Sequence, residues 1–417
     1  MGTIAENILS IKVGREISVD EIVEVDIDYV MVNDITGLPA FEIVEELGAT
    51  PLKEKIVLIP DHYVPNKDIP SAEQAKKMRE FARKHRIKSY FEVGRGGVCH
   101  QVMVEQGFVA PGRVIVGADS HTCTYGALNA FSTGIGSTEA AYAMIKGKLW
   151  FRVPETVRFT VDGIPKKPVC GKDIILKIIG DVGVDGALYM ATEFHGTAFN
   201  HLALSDRLTV ANMAIEMGAK TGIFPPDEKV FNYLKNRVIG GYRSVHPDKD
   251  AEYKKEFFYN AEEIAPMVAK PSSPANVVPV EDIDVAIDQA YLGSCTNGRI
   301  EDMRVAAEIL KGKKVHEDVR LIVVPASMRV YREMLKEGLI DIFVKAGAFV
   351  SGPTCGACLG GYMGVLAEGE VCVSSTNRNF IGRMGHKDSK VYLASPATVA
   401  ISAVEGKITD PREFYDF

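Results

Sequence analysis

Arg113-Val-Ile-Val-Gly117-Ala-Asp119-Ser-His121 is the stretch that decides the fold class. A short unbroken apolar run reads as a strand buried on both faces, and here it ends in a polar loop rather than a hairpin turn. The same pattern occurs upstream, where Lys55-Ile-Val-Leu-Ile-Pro60 runs into Asp61-His62. Between the two, the Ala/Met/Phe stripe from Ser71 to Lys84 has helical spacing. Strands alternating with helices predict parallel α/β sheets, in which ligands sit at the carboxyl ends of the strands.

The alternation continues with a strand over Thr156-Val-Arg-Phe-Thr-Val-Asp162 and a helix from Lys172 to Val182 closed by Gly183. Residues 265–279 hold four prolines and read as a linker. A third unit starts at Ile283-Asp-Val-Ala-Ile287. It brings a helix over 300–310, a strand over 319–325, a helix over 327–337, then Phe349 and a Gly-rich loop. The expected units are residues 1–153, 154–274 and 275–417, the last carrying a cysteine cluster. Gly134-Ile-Gly-Ser-Thr-Glu139 lacks the third glycine of a dinucleotide fingerprint. It reads as a helix start capped by Ser137 or Thr138.

A chain of 417 residues with 25 % charged and 46 % hydrophobic positions suits a globular enzyme of several domains. Its formal charge of −7 leaves no basic stripe for nucleic acid, although Arg378, Arg383 and Lys387 could form a local patch. No apolar run approaches the ~20 residues of a membrane span. The start, Met1-Gly-Thr-Ile-Ala-Glu-Asn7, shows no secretory signal. Seven cysteines are an odd count and no disulfide framework for this length. A reducing cytoplasm is therefore expected, where clustered cysteines are read first as metal ligands or nucleophiles.

The cluster is Gly293-Ser-Cys295-Thr-Asn-Gly298 and, sixty residues on, Gly352-Pro-Thr-Cys355-Gly-Ala-Cys358. A C-x-x-C turn presents two thiolates to one centre, and a third from another strand end makes three. Three suit a cubane cluster with one iron open, whereas four would close it. Zinc lacks an evident fourth ligand, a redox pair leaves Cys295 unexplained, and a radical-type cluster gathers its cysteines in one short loop. Cys99, Cys123, Cys170 and Cys372 read as buried small hydrophobes, with Cys99 and Cys123 near the site.

These stretches, with Gly97-Val-Cys-His100-Gln, Glu193-Phe-His-Gly196 and Asn377-Arg378-Asn379-Phe-Ile-Gly-Arg383, resemble the aconitase-type hydro-lyases over essentially the whole chain. The resemblance implies three parallel-sheet α/β domains packed around a 4Fe–4S cluster. That cluster would sit on Cys295, Cys355 and Cys358, one per large subunit, with one open iron. The family's swivelling fourth domain carries a G-S-S-R motif that occurs nowhere in this sequence. The resemblance therefore implies a small partner subunit that supplies that domain and the catalytic serine, without which this chain is inactive. The implied reaction is interconversion of 2-isopropylmalate and 3-isopropylmalate through an alkene, a step of leucine biosynthesis. Conversion of homocitrate to homoisocitrate through cis-homoaconitate is the alternative.

The resemblance also assigns roles. His62, oriented by Asp61, donates the proton to the leaving hydroxyl, which needs an acid in a fixed tautomer. His100 pairs with Asp119, and His121 with Glu193. Arg378 and Arg383 offer guanidinium forks to substrate carboxylates. Asn33, Asp34, Thr36, Ser120 and Asn377 are further substrate contacts, and Asn297 and Asn377 can reach cluster sulfides. Asn33 and Thr124 depart from the pattern of aconitase itself.

Overall fold

Three sheets organise the chain. In the first, the strands lie in the order Ile56–Leu58, Tyr29–Val32, Val114–Gly117 and Phe131–Gly134, all parallel. The second runs Lys255–Asn260, Thr156–Asp162, Ala191–His195 and Thr221–Ile223, again all parallel. The third has seven strands: Val277–Pro279, Met267–Ala269, Lys390–Leu393, Val371–Ser374, Gln289–Gly293, Arg320–Val324 and Phe349–Val350. Its last five are parallel. The structure, a computed structural model, describes residues 2–414; Met1 and residues 415–417, the outer ends of the first and third expected units, lie outside the described residues.

Local sequence explains these elements. Val114–Gly117 is buried at every position, as a strand covered on both faces must be. The helix Ile69–Lys84 starts where Asp68 accepts the Ser71 N–H, and Pro396–Glu405 starts on Ser395 and stops at Gly406. The helix Ile300–Leu310 falls where its pattern predicts. No helix among the described residues is long and apolar enough to cross a membrane.

Two expectations are corrected. The proline-rich stretch 265–279 is no plain linker. Met267–Ala269 and Val277–Pro279 pair as an antiparallel hairpin, and Ala269 joins the strand Lys390–Leu393. Its prolines fall outside the strands or at the end of the edge strand, where a missing N–H costs no ladder bond. Beside the three sheets, Ile22–Asp26 and Lys148–Arg152 form a two-stranded antiparallel ribbon. The helix Ser137–Lys146 begins after Gly136 with no side-chain cap, because the Ser137 hydroxyl donates instead to the Thr36 carbonyl at 2.9 Å.

The strands of the first and third sheets end in the loops that carry the chemistry. Asn33 and Asp34 follow Val32, Asp61 and His62 follow Leu58, and Asp119 to His121 follow Gly117. Cys295 follows Gly293, Cys355 follows Val350, and Asn377 follows Ser374.

Candidate active site

One small cavity is walled by Cys295, Cys355 and Cys358 together with His62, His100, Asp119, His121, Asn377 and Arg383. All three thiols are buried. Two glycines make the turns that bring them there. Gly293 has φ 151°, and a Cβ there would lie 2.3 Å from the Val324 carbonyl oxygen. Gly356, at φ 62°, lies under the Tyr291 hydroxyl, again 2.3 Å from where a Cβ would be. From behind, Arg299 grips the first turn, donating to the carbonyls of Cys295 at 2.7 Å and Thr296 at 2.6 Å. Amide N–H groups of Asn212 and Asn377 point at Cys295 Sγ from 3.3 and 3.4 Å.

Burial pushes the Cys295 thiol up to about 12. The hydrogen bond from Cys355 instead lowers Cys358 to about 5 against its burial, and Cys355 rises correspondingly. Arg383 lines the same cavity with its Nε buried and unpartnered. Three soft sulfur donors facing one space, with amide and guanidinium N–H groups around them, fit a metal–sulfur group of net negative charge. A fourth cysteine, Cys99, also lines the cavity, and burial pushes its thiol well above the usual range.

Beside the thiols, three histidines converge on one carboxylate. Asp119 meets His100 Nε2 at 2.9 Å, His62 Nε2 at 3.6 Å and His121 Nδ1 at 3.6 Å, and it accepts the His121 backbone N–H at 2.8 Å. These contacts hold Asp119 well below the usual carboxylate range despite burial. His62 Nδ1 lies 2.6 Å from Asp61, which also accepts the Cys99 N–H at 2.7 Å. Burial opposes the imidazolium of His62, but Asp61, Asp34 and Asp119 outweigh it and raise the group to about 10. His100 Nδ1 contacts the buried Tyr125 hydroxyl at 3.1 Å, a partner no sequence signal pointed to.

The expected partner of His121 is wrong. His121 Nε2 pairs with Glu216 at 2.8 Å, and Arg378 Nε reaches both oxygens of the same carboxylate at 2.8 and 3.1 Å. Glu193 lies elsewhere. On the strand Ala191–His195 residues two apart share a face, so Glu193 meets His195 at 2.8 Å. It also accepts the Ile4 N–H at 2.6 Å and the Tyr253 hydroxyl at 3.0 Å. Against burial and Arg378, the carboxylates of Asp119 and Glu216 raise His121.

The side chains of Asp34 and Thr36 make hydrogen bonds within the loops. Asp34 accepts the backbone N–H groups of Asp61, His62 and Tyr63 at 2.9 Å each, fixing the loop that carries His62. The Thr36 hydroxyl donates to Asn33 Oδ1 at 2.9 Å. Asn33 keeps its Nδ2 buried without a partner. Ser120 faces a neighbouring surface hollow with Thr133 and Lys220. Asn297 turns from the thiols to Asp302 at 3.0 Å, and Asn212 takes the place expected of it. Cys99 lines the cavity, while Cys123 is buried against the Asn212 carbonyl.

A hydro-lyase architecture is what this fold and site define, and the chain belongs to the aconitase family: the model described as "Aconitase family (aconitate hydratase)" matches residues 6–284 and 281–406. That family implies a 4Fe–4S cluster. Among individual relatives, the chain is 54 % identical over 415 residues to the 3-isopropylmalate dehydratase large subunit 1 of Methanopyrus kandleri, covering 99 % of each chain. It is 54 % identical over 413 residues to the 3-isopropylmalate dehydratase large subunit of Picrophilus torridus, covering 99 % of this chain and 100 % of that one. The crystal structure of Thermococcus kodakaraensis aconitase X (holo-form) shares the fold. The TM-score is 0.52 at 13 % identity, over 97 % of this chain and 96 % of the other.

Proposed function

We propose that this chain is the large, cluster-binding subunit of a hydro-lyase that interconverts 2-isopropylmalate and 3-isopropylmalate by dehydration and rehydration. The observation that carries the reading is the single cavity shared by Cys295, Cys355 and Cys358, three histidines and an arginine whose Nε has no hydrogen-bond partner among the described residues. The names borne by the relatives favour isopropylmalate over homocitrate as substrate.

Cys295, Cys355 and Cys358 would hold the cluster, one per chain with one iron open. When bound it supplies a Lewis acid that polarises the substrate hydroxyl. The chain's own residues do the rest. His62, kept protonated by Asp61 at Nδ1, presents Nε2 as the acid for the leaving hydroxyl. Asp119 locks His100, and Glu216 locks His121, so that neither ring can turn away. Arg383, through its free Nε, and Arg378, whose Nη groups make no hydrogen bond to the described residues, bind the substrate carboxylates. Asn33, through its free amide, Ser120 and Asn377 contact the remaining oxygens. The base comes from a serine on the swivelling domain of a small partner subunit. In this assignment the units 1–153 and 275–417 contribute the loops that face each other, and 154–274 contributes Glu216. The hairpin from Met267 belongs with the third unit.

The test is co-production with the small subunit under anaerobic conditions and assay of 2-isopropylmalate against homocitrate. Turnover of isopropylmalate by the complex, and none by either chain alone, is expected. Turnover of homocitrate only, or full activity of the isolated chain, contradicts the reading.

A further inference from the structure

Lys172 is the second residue of the helix Gly171–Val182 and is 0 % exposed. Its Nζ donates to the carbonyls of Ser375, at 2.9 Å, and Thr376. It forms no ion pair among the described residues. An ammonium buried without a counter-ion is costly, and two carbonyls could be satisfied by a neutral donor. The loop it grips is the one that matters. The next residue, Asn377, donates to Cys295 Sγ at 3.4 Å, and Arg378 pairs with Glu216. The Ser375 hydroxyl accepts the N–H of Gly293 at 2.9 Å, two residues before Cys295. Burial lowers the ammonium to about 8, against the opposing pull of Cys170, Cys358, Asp173 and Asp302. The helix carrying it links two strands of the second sheet and packs on the hairpin of the third, where Asp173 accepts the Met267 N–H at 2.9 Å, and Lys172 extends that contact to the loop after Ser374.

We propose that Lys172 is a positioning residue that holds the loop 375–378 in register with substrate and places a positive charge behind the three-thiol site. This rests on the functional reading above. The hydrogen bonds set where Asn377 and Arg378 stand. The charge offsets the negative charge that three thiolates and a sulfide-bearing group concentrate in a water-poor space.

The experiment compares wild type, K172M, K172Q and the control K177M, each co-produced anaerobically with the small subunit. Lys177 lies on the same helix but pairs with Asp181 on the outside. The readouts are KM and kcat for 2-isopropylmalate, iron retained after a timed exposure to air, the cluster midpoint potential and thermal unfolding. K172M should raise KM more than it lowers kcat, lose iron about 10–100-fold faster and shift the potential negative. K172Q, which keeps a donor for the carbonyls, should recover KM but keep the negative shift. K177M should match wild type. Wild-type KM, iron retention and potential in K172M would overturn the proposal. If K172M does not fold, K172Q with an unshifted potential overturns the charge role in the same way. A wild-type complex lacking cluster or turnover strikes the functional reading instead, so the two failures are distinguishable.

Discussion

Two buried glutamates each hold a histidine at 2.8 Å, yet only one of those histidines, His121, lines the thiol cavity. Glu216 binds His121 and the Arg378 guanidinium, joining the histidine group to the loop after Ser374. Glu193 binds His195, the Tyr253 hydroxyl and the first turn of the helix Ile4–Val13, joining the second sheet to the amino-terminal helix. The sequence around Glu193 carries the more conspicuous motif, but the alternation of its strand turns it to the other side. What separates the two glutamates is where the side chain of each points, not the identity of its histidine partner.

This contrast can be broken by mutation. The largest effect is expected for Glu216→Gln in the reconstituted complex. Without the carboxylate, His121 and Arg378 lose their common anchor, and kcat/KM should fall about 10²–10⁴-fold. Steady-state kinetics of Glu193→Gln should stay within a few-fold of wild type; the reverse ranking would reassign the two residues. Next, Asn212→Ala should speed loss of cluster iron about 10–100-fold, followed by visible absorbance in air, while Asn297→Ala should not. Equal bleaching of both would remove Asn212 from the site. Glu193→Gln should show its effect in thermal unfolding, at about 1–3 kcal/mol, because it leaves a buried N–H poorly served. An unchanged melting temperature would deny it the structural role.

The smallest effect concerns pH. The folded-state pKa of His62, about 10, lies above the roughly 6.5 of an unfolded histidine. Its stabilising contribution is therefore complete below that lower value and is lost as pH rises through the folded one. Wild-type melting temperature should decline between these limits more steeply than that of His62→Gln. Parallel curves would mean that the imidazolium of His62 is not held by Asp61.

Much of this was legible in the sequence for a simple reason. Apolar runs that end in Asp, His or Cys mark strands and their carboxyl-end loops at once, so Asp61, His62, Asp119 and the three cysteines could be placed before any coordinates. Residues acting from helices were not. Asn212 and Glu216 sit in the run Val210-Ala-Asn-Met-Ala-Ile-Glu-Met-Gly218, with no glycine-flanked loop to mark them. Asn212 closes the α-helix Leu204–Met213 and Glu216 lies in the 3-10 turn Ala214–Met217 that continues it, so the available signal was two polar residues in an otherwise apolar run. Lys172 and Arg299 were hidden for a different reason. Both act through hydrogen bonds to backbone carbonyls distant in sequence, which no side-chain pattern records. The hairpin at 265–279 was masked by prolines that a sheet edge tolerates.

The account stands on three thiols holding one iron–sulfur cluster with an iron left for substrate. Mössbauer spectroscopy of the anaerobically reconstituted, ⁵⁷Fe-labelled complex, before and after addition of 2-isopropylmalate, tests this most directly. One iron environment of the cluster should change on adding substrate while the others do not, and Cys358→Ser should abolish the signal. A cluster whose irons all ignore substrate, or a colourless wild-type protein holding zinc at these cysteines, would contradict it.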